Sequence, residues 1–161
     1  MGGDTASVDG AASLTPRQRI AAECARPHGG AALIAGCVAL LSGRPDDVDD
    51  RLITVLGGEA AGQVLDGAAG GRSGYWPRVW AARGLLHAWD DPTTQADAAT
   101  TAIIGALGDD AWRVREMAAK VVARHRVGGA FDAVAPLRED PVLRVRAAAH
   151  RAVVLLTVSH A

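Results

Sequence analysis

Residues 111–125, AWRVREMAAKVVARH, have the spacing of an amphipathic helix, and the chain holds two related stretches. These are residues 75–89, YWPRVWAARGLLHAW, and residues 142–156, VLRVRAAAHRAVVLL. The three superpose on Val79, Val114 and Val145, anchors that lie 35 and 31 residues apart. Self-similarity at that period marks stacked helical hairpins. One hairpin cannot bury its apolar face alone, and neighbours in a stack bury a continuous core. The expected fold is all-α, an α-solenoid of about four hairpins wound as a superhelix.

Composition agrees. The 161 residues are long enough for one domain with a sizeable core. Hydrophobic residues make up 49% of the chain and aromatics only 4%. Alanine and leucine predominate over the β-branched and aromatic residues a sandwich needs, which favours close helix packing. A formal net charge of −1 argues against a dedicated nucleic-acid binder. Charge is nonetheless uneven along the chain. Residues 1–71 carry five arginines against nine carboxylates, and residues 72–161 carry twelve basic side chains against nine acidic. A basic surface is therefore expected on the later repeats. Lys120 is the sole lysine.

Residues 1–13 lack periodicity and read as a disordered lead, followed by one domain over residues 14–161. Thr15-Pro16 starts a helix in the manner of an N-cap and a first-turn proline. Pro27-His28-Gly29-Gly30 ends it, and residues 31–41 form a buried apolar helix. The acidic residues 46–50 precede another helix, and Gly57-Gly58 closes that one. A short helix around residues 60–65 leads to the glycine-rich segment 67–74, longer than an ordinary turn. Helices then follow at 76–89, 94–107, 112–125, 131–138 and 142–158. Asp90-Asp91-Pro92-Thr93, Gly108-Asp109-Asp110, Gly128-Gly129 and Glu139-Asp140-Pro141 separate them. No basic-then-apolar leader or bilayer-length apolar run is present, so a cytoplasmic location is expected.

Two repeats share Asp-x-x-x-x-Val-Arg, as Asp109…Val114-Arg115 and Asp140…Val145-Arg146. The pattern resembles the HEAT repeat, in particular the short bacterial form of the phycobilin-lyase-like type, over about residues 75–158. The resemblance implies a ladder in which the turn aspartates Asp109 and Asp140 and the helix arginines Arg115 and Arg146 join neighbouring repeats. A directional, charge-assisted bond between carboxylate and guanidinium would set the stacking angle. With Val79 as anchor, Gly74 takes the Asp place and Trp80 the Arg place in the first copy. That register predicts a broken ladder there and a bent or loose join.

The resemblance also implies that the second helix of each hairpin lines a concave, ligand-holding face. The arginine preceding each anchor gives Arg78, Arg113 and Arg144. One heptad further on, Lys120 and Arg151 fall on nearly the same face, with Glu116 among them. These cations suit an acidic peptide, a phosphorylated partner or a nucleic-acid backbone. They equally suit a solvated face with i,i+3 pairing. Trp76 and Trp80 share one helix face and are further contact candidates, or else core. Cys24 and Cys37 lack zinc spacing, and His87, His125 and His150 lack metal spacing. No catalytic constellation and no phosphate loop is found, so neither metal nor cofactor is expected.

The leading reading is a non-catalytic scaffold that binds a protein on its concave face, an acidic one if these cations make the contact. The alternatives are a nucleic-acid-binding or DNA-glycosylase-like HEAT protein and, with nothing to select it, a chromophore lyase-like protein. The apolar ending Val153-Val154-Leu155-Leu156 leaves the last repeat without a polar cap, which points to a homodimer through the C-terminal helix.

Overall fold

The computed structural model describes residues 13–89 and 95–159, and every regular element among them is helical. The α-helices are α1 (Pro16–Cys24), α2 (Gly29–Leu41), α3 (Asp50–Gly57), α4 (Ala61–Leu65), α5 (Tyr75–Ala88), α6 (Ala96–Ala106), α7 (Trp112–His125), α8 (Phe131–Val134) and α9 (Leu143–Val158). Short 3₁₀ turns join several of them. The expected lead, apart from Ser13, and the Asp90–Thr93 turn lie outside the described residues. The all-α class holds.

Local chemistry explains most boundaries. Thr15 and Gln18 form a reciprocal capping box at the start of α1, with Pro16 as its first residue. Asp49 caps α3 by accepting from the Leu52 N–H. The far end of α3 is held from outside: Arg19 donates to the Val55 and Leu56 carbonyls and Arg83 to Leu56, cations at the negative pole of the helix. The glycine pair after Pro27 does not separate two helices as expected, because α2 begins at Gly29. A Cβ on Gly29 would overlap the Glu23 carbonyl oxygen, so glycine lets α2 seat directly on the end of α1.

Helices α1, α2, α3 and α5 pack together as the N-terminal part. From α5 onward the order is regular: α7 packs on α5 and α9 on α7, while α6 lies against α2 and α7, and α8 with its following 3₁₀ turn lies against α9. Leu33, Ile53, Leu56, Leu85, Ile103, Val114, Val121, Val122 and Val145 are fully buried along this axis. Small residues set the closest approaches. At Gly84 an added Cβ would meet the Cys37 sulfur at 2.6 Å and a Leu56 methyl at 3.0 Å, where α5 crosses α2.

The structure moves the register of the first repeat by two residues. Counted from the helix starts, the third residues of α5, α7 and α9 are Pro77, Val114 and Val145, all fully buried. Val79 is also buried, which is why it passes for the anchor in sequence. A proline is harmless at Pro77 because the first-turn N–H groups have no intrahelical partner. The glycine-rich stretch is a largely exposed connector of 3₁₀ turns, with no buried residue. Gly67, Ala69, Gly70 and Gly71 have positive φ, and Arg72 within it donates to the Val48 carbonyl and pairs with Asp50.

Gly84→Ala should destabilise the protein by about 1–3 kcal/mol despite alanine's better helix propensity, because the buried crossing cannot accept the methyl. Urea denaturation of the two proteins checks this, and an unchanged or raised midpoint would refute it.

Candidate functional site

A relay of arginines and aspartates fixes the helices that carry the candidate site. Arg78 Nε donates to Asp109 Oδ2 at 2.7 Å and Nη2 to Oδ1 at 3.2 Å. Arg115 repeats the geometry on Asp140, at 2.8 and 3.2 Å. In both aspartates Oδ1 also accepts the backbone N–H two residues on, from Ala111 and Val142, which shapes the turn before the next helix. The remaining guanidinium nitrogen holds the turn behind: Arg78 Nη1 donates to the Ser73 and Gly74 carbonyls, and Arg115 Nη1 to those of Asp109 and Asp110. Arg146 Nη1 donates likewise to the Asp140 carbonyl. Each arginine is the fourth residue of its helix and each aspartate precedes the next helix by three.

This geometry corrects the sequence reading in two places. Arg78 is a rung of the ladder and not a groove cation, because the two-residue register shift makes it the counterpart of Arg115. The rung between α5 and α7 is therefore intact, where Trp80 and Gly74 were expected to break it. Trp80 is no contact residue either. It is buried in the core, its ring so close to Gly57 that a Cβ there would overlap it at 2.5 Å.

The other predicted residues come together on the opposite side of α7 and α9. Arg144 and Arg146 stand two residues apart, roughly 200° around the helix, so the groove cation and the ladder residue lie on opposite edges of α9. Glu116 is buried and accepts from Lys120 Nζ at 2.9 Å and from Arg144 Nε at 3.1 Å. A buried carboxylate needs such partners, and two cations supply them. Arg113 lies over the Trp112 ring at 4.4 Å and near Trp76 at 5.5 Å, and Arg144 lies 5.8 Å from the Trp112 ring. Trp76 in turn stacks on Trp80. Rings and cations thus alternate across the starts of α5, α7 and α9.

Below this row opens a groove of about 840 Å³. Leu86, Ala123, Ala148 and Leu155 form its apolar floor, and Lys120, Arg124, Arg126, Arg144 and Arg151 surround it. Arg124 and Arg126 escaped the sequence reading. Arg124 is visible in retrospect as the residue one turn beyond Lys120. Arg126 is not, because it reaches the groove from a left-handed C-cap at φ 51°. The positive field extends to His87, whose pKa is lowered by partial burial and by Arg17, Arg83, Arg124 and His125. His125 spans to α5 instead, its Nε2 3.1 Å from the Leu85 and Leu86 carbonyls, where an N–H donates. Burial pushes the Cys37 thiol well above the usual range, so it stays protonated, and no disulfide joins Cys37 to Cys24. Among the described residues no group of three or more His, Cys, Asp or Glu is placed to hold a metal, and no helix is long and apolar enough to cross a membrane.

No family model matches the chain, and neither a curated protein nor a solved structure matches it.

The rung between α7 and α9 has a pH signature. Asp140 is held below the ordinary carboxylate range first by the Arg115 hydrogen bond, then by the Val142 N–H and the charges of Arg115 and Arg146, with desolvation opposing. A depressed pKa contributes stability above the unfolded value of ~3.9, and that stability is lost as pH falls through the folded pKa. Asp140→Asn should remove that component, giving a stability profile flatter than wild type between about pH 5 and pH 2. Arg115→Ala strands a carboxylate with 3% side-chain exposure and should cost about 3–5 kcal/mol at neutral pH. Urea titrations across this range test both, and a profile for Asp140→Asn parallel to wild type would refute the assignment.

Proposed function

We propose that this protein is a binding module that holds an acidic segment of a partner protein in the groove across α5, α7 and α9. One observation carries the reading: five cations surround an apolar floor, and the one carboxylate among them, Glu116, is already paired with Lys120 and Arg144. Arg124 and Arg151 are exposed and make no ion pair among the described residues, so their charge is available to a ligand. The alternation of Trp76, Arg113, Trp112 and Arg144 beside the groove adds cations set against aromatic rings, the residue types at which binding energy concentrates. The unbroken Arg78–Asp109 and Arg115–Asp140 rungs support the resemblance to HEAT-like repeats, whose concave faces hold partners. The apolar floor and the overall charge of −1 favour a peptide over a nucleic-acid backbone, which draws its affinity from a larger count of cations.

A homodimer through α9 draws support from Val154 and Val158, which are 50% and 65% exposed. Against it, α9 carries Arg144, Arg146 and Arg151 and no acid, so two copies laid face to face oppose like charges. That balance favours a different, acidic chain over self-association.

The test is affinity capture with wild type and an Arg124→Glu/Arg151→Glu variant, with nuclease treatment in parallel. A protein recovered by wild type and lost from the variant, whether or not nuclease is present, is the expected result. Recovery abolished by nuclease would transfer the groove to nucleic acid, and identical recovery by both proteins would defeat the proposal.

A further inference from the structure

Two guanidinium groups converge on one carbonyl oxygen. Arg19 of α1 donates from Nη2 to the Leu56 carbonyl at 3.3 Å, and Arg83 of α5 donates from Nη2 to the same oxygen at 2.9 Å. Capping the end of α3 does not account for both. A helix C-terminus carries roughly half a negative elementary charge, and each arginine brings a full positive one, so most of their charge is left over. Arg19 gives its other nitrogens to the Val55 and Leu14 carbonyls. Arg83 does not. Its Nε is buried without a hydrogen-bond partner, its Nη1 meets no acceptor among the described residues, and it forms no ion pair there.

Other cations gather beside it. His87 follows Arg83 by one turn on the same face of α5 and is exposed. Arg17 of α1 and Arg124 of α7 are exposed as well, and neither makes a side-chain hydrogen bond or ion pair among the described residues. After partial burial, the charges of Arg17, Arg83, Arg124 and His125 hold the His87 pKa down, and no described carboxylate opposes them. The acids of the surrounding helices are committed elsewhere. Helices α2 and α5 have none, Glu23 of α1 is paired with Arg51 and Arg26, Asp50 of α3 with Arg72, and Glu116 of α7 with Lys120 and Arg144. Neither Glu59 beyond α3 nor Asp97 of α6 acts on His87.

We infer that Arg17, Arg83, His87 and Arg124 form a binding site for a phosphate dianion, either free or carried on a phosphorylated side chain. Guanidinium forks match its oxygens, and a doubly charged ligand answers a surplus that a single carboxylate leaves half unmet. The bound anion favours the charged imidazole, so His87 gains a second donor on binding and affinity rises as pH falls. The site adjoins the groove and shares Arg124 with it. Arg17, Arg83 and His87 do not line the groove, and the inference stands whether or not an acidic protein segment binds there.

The probe is sulfate, a dianion whose charge stays constant across the pH range in which histidine titrates, added to the full chain and followed through the His87 imidazole by NMR. Chloride at equal ionic strength is the control. Sulfate should raise the His87 pKa saturably where chloride does not, and its affinity should rise about fivefold or more between about pH 8 and pH 5. Arg17→Gln, at an exposed position that bonds to nothing in the fold, and Arg83→Gln should each weaken binding about tenfold. By calorimetry, the pH dependence should vanish in His87→Gln. Inorganic phosphate and a phosphoserine peptide, compared near pH 8, separate the two sources: equal affinities assign the site to free phosphate, and tighter peptide binding assigns it to a phosphorylated side chain. A His87 pKa that moves no further in sulfate than in chloride, or an affinity insensitive to Arg17→Gln, overturns the inference.

Discussion

The bidentate pairing of a helix arginine with the aspartate of the following turn is the constraint on which the regular half of this protein depends. Its value lies in direction more than in net energy, since a buried ion pair recovers little beyond its own desolvation. A guanidinium and a carboxylate meet well in one plane only. Each rung therefore sets where the next turn sits, and the turn sets where the next helix begins. The aspartate also accepts the backbone N–H two residues on, so the residue that receives the previous helix shapes the start of the following one. Arg78, Asp109, Arg115, Asp140 and Arg146 form one continuous relay in which every link fixes its successor. Exposed pairs such as Arg44 with Asp47 have no such role, because solvent screens them and neither partner is held.

The N-terminal part lacks this device, and its geometry differs accordingly. Arg72 stands where the relay would place an aspartate, three residues before α5. The fourth residue of α3, which would have to reach it, is Ile53. No rung can form between two such residues. Arg72 turns instead to the Val48 carbonyl and to Asp50. Helices α1, α2, α3 and α5 then rely on close approach at Gly29, Gly36, Gly57 and Gly84, and on Arg19 and Arg83 gripping the end of α3. A repeated Arg–Asp relay orders one part of the chain; the other combines small-residue packing with single bonds, among them the bidentate pair of Arg51 on α3 with the buried Glu23 of α1.

This division explains what was legible in the sequence. Helical periods, the cap at Thr15, the acidic residues 46–50 and the turn residues locate most elements, because each signal acts within a few residues. The Asp-x-x-x-x-Val-Arg copies announce the rungs at Asp109 and Asp140 for the same reason. The first copy misleads because Val79 and Pro77 are both buried, and valine is the more ordinary anchor. That two-residue slip assigned Arg78 to the groove and gave Trp80 the arginine's place in the ladder, although spatially Arg78 is Arg115's counterpart and Trp80 closes on Gly57. Arg113, Lys120, Arg144 and Arg151 could be placed on one face by heptad spacing alone. Arg126 could not, since its position follows from a left-handed cap that no periodicity encodes. The shape of the groove, with Leu86 of α5 in its floor, is a tertiary fact.

A net charge near zero suggests an undistinguished surface, yet the relay shows why it misleads here. Charge in this fold is sorted by commitment. From Asp109 onward, Asp109 and Asp140 are consumed by arginines in the ladder, and Glu116 is neutralised by Lys120 and Arg144. What they neutralise lies at the ladder edge or beneath the groove, while Arg124 and Arg151 keep their charge at its rim. The same carboxylates that order the helices are withdrawn from the surface that would otherwise offset the arginines. A structural need for buried acids thus adds to the basic character of the groove. The electrostatic character of the groove is a consequence of how the helices are held together.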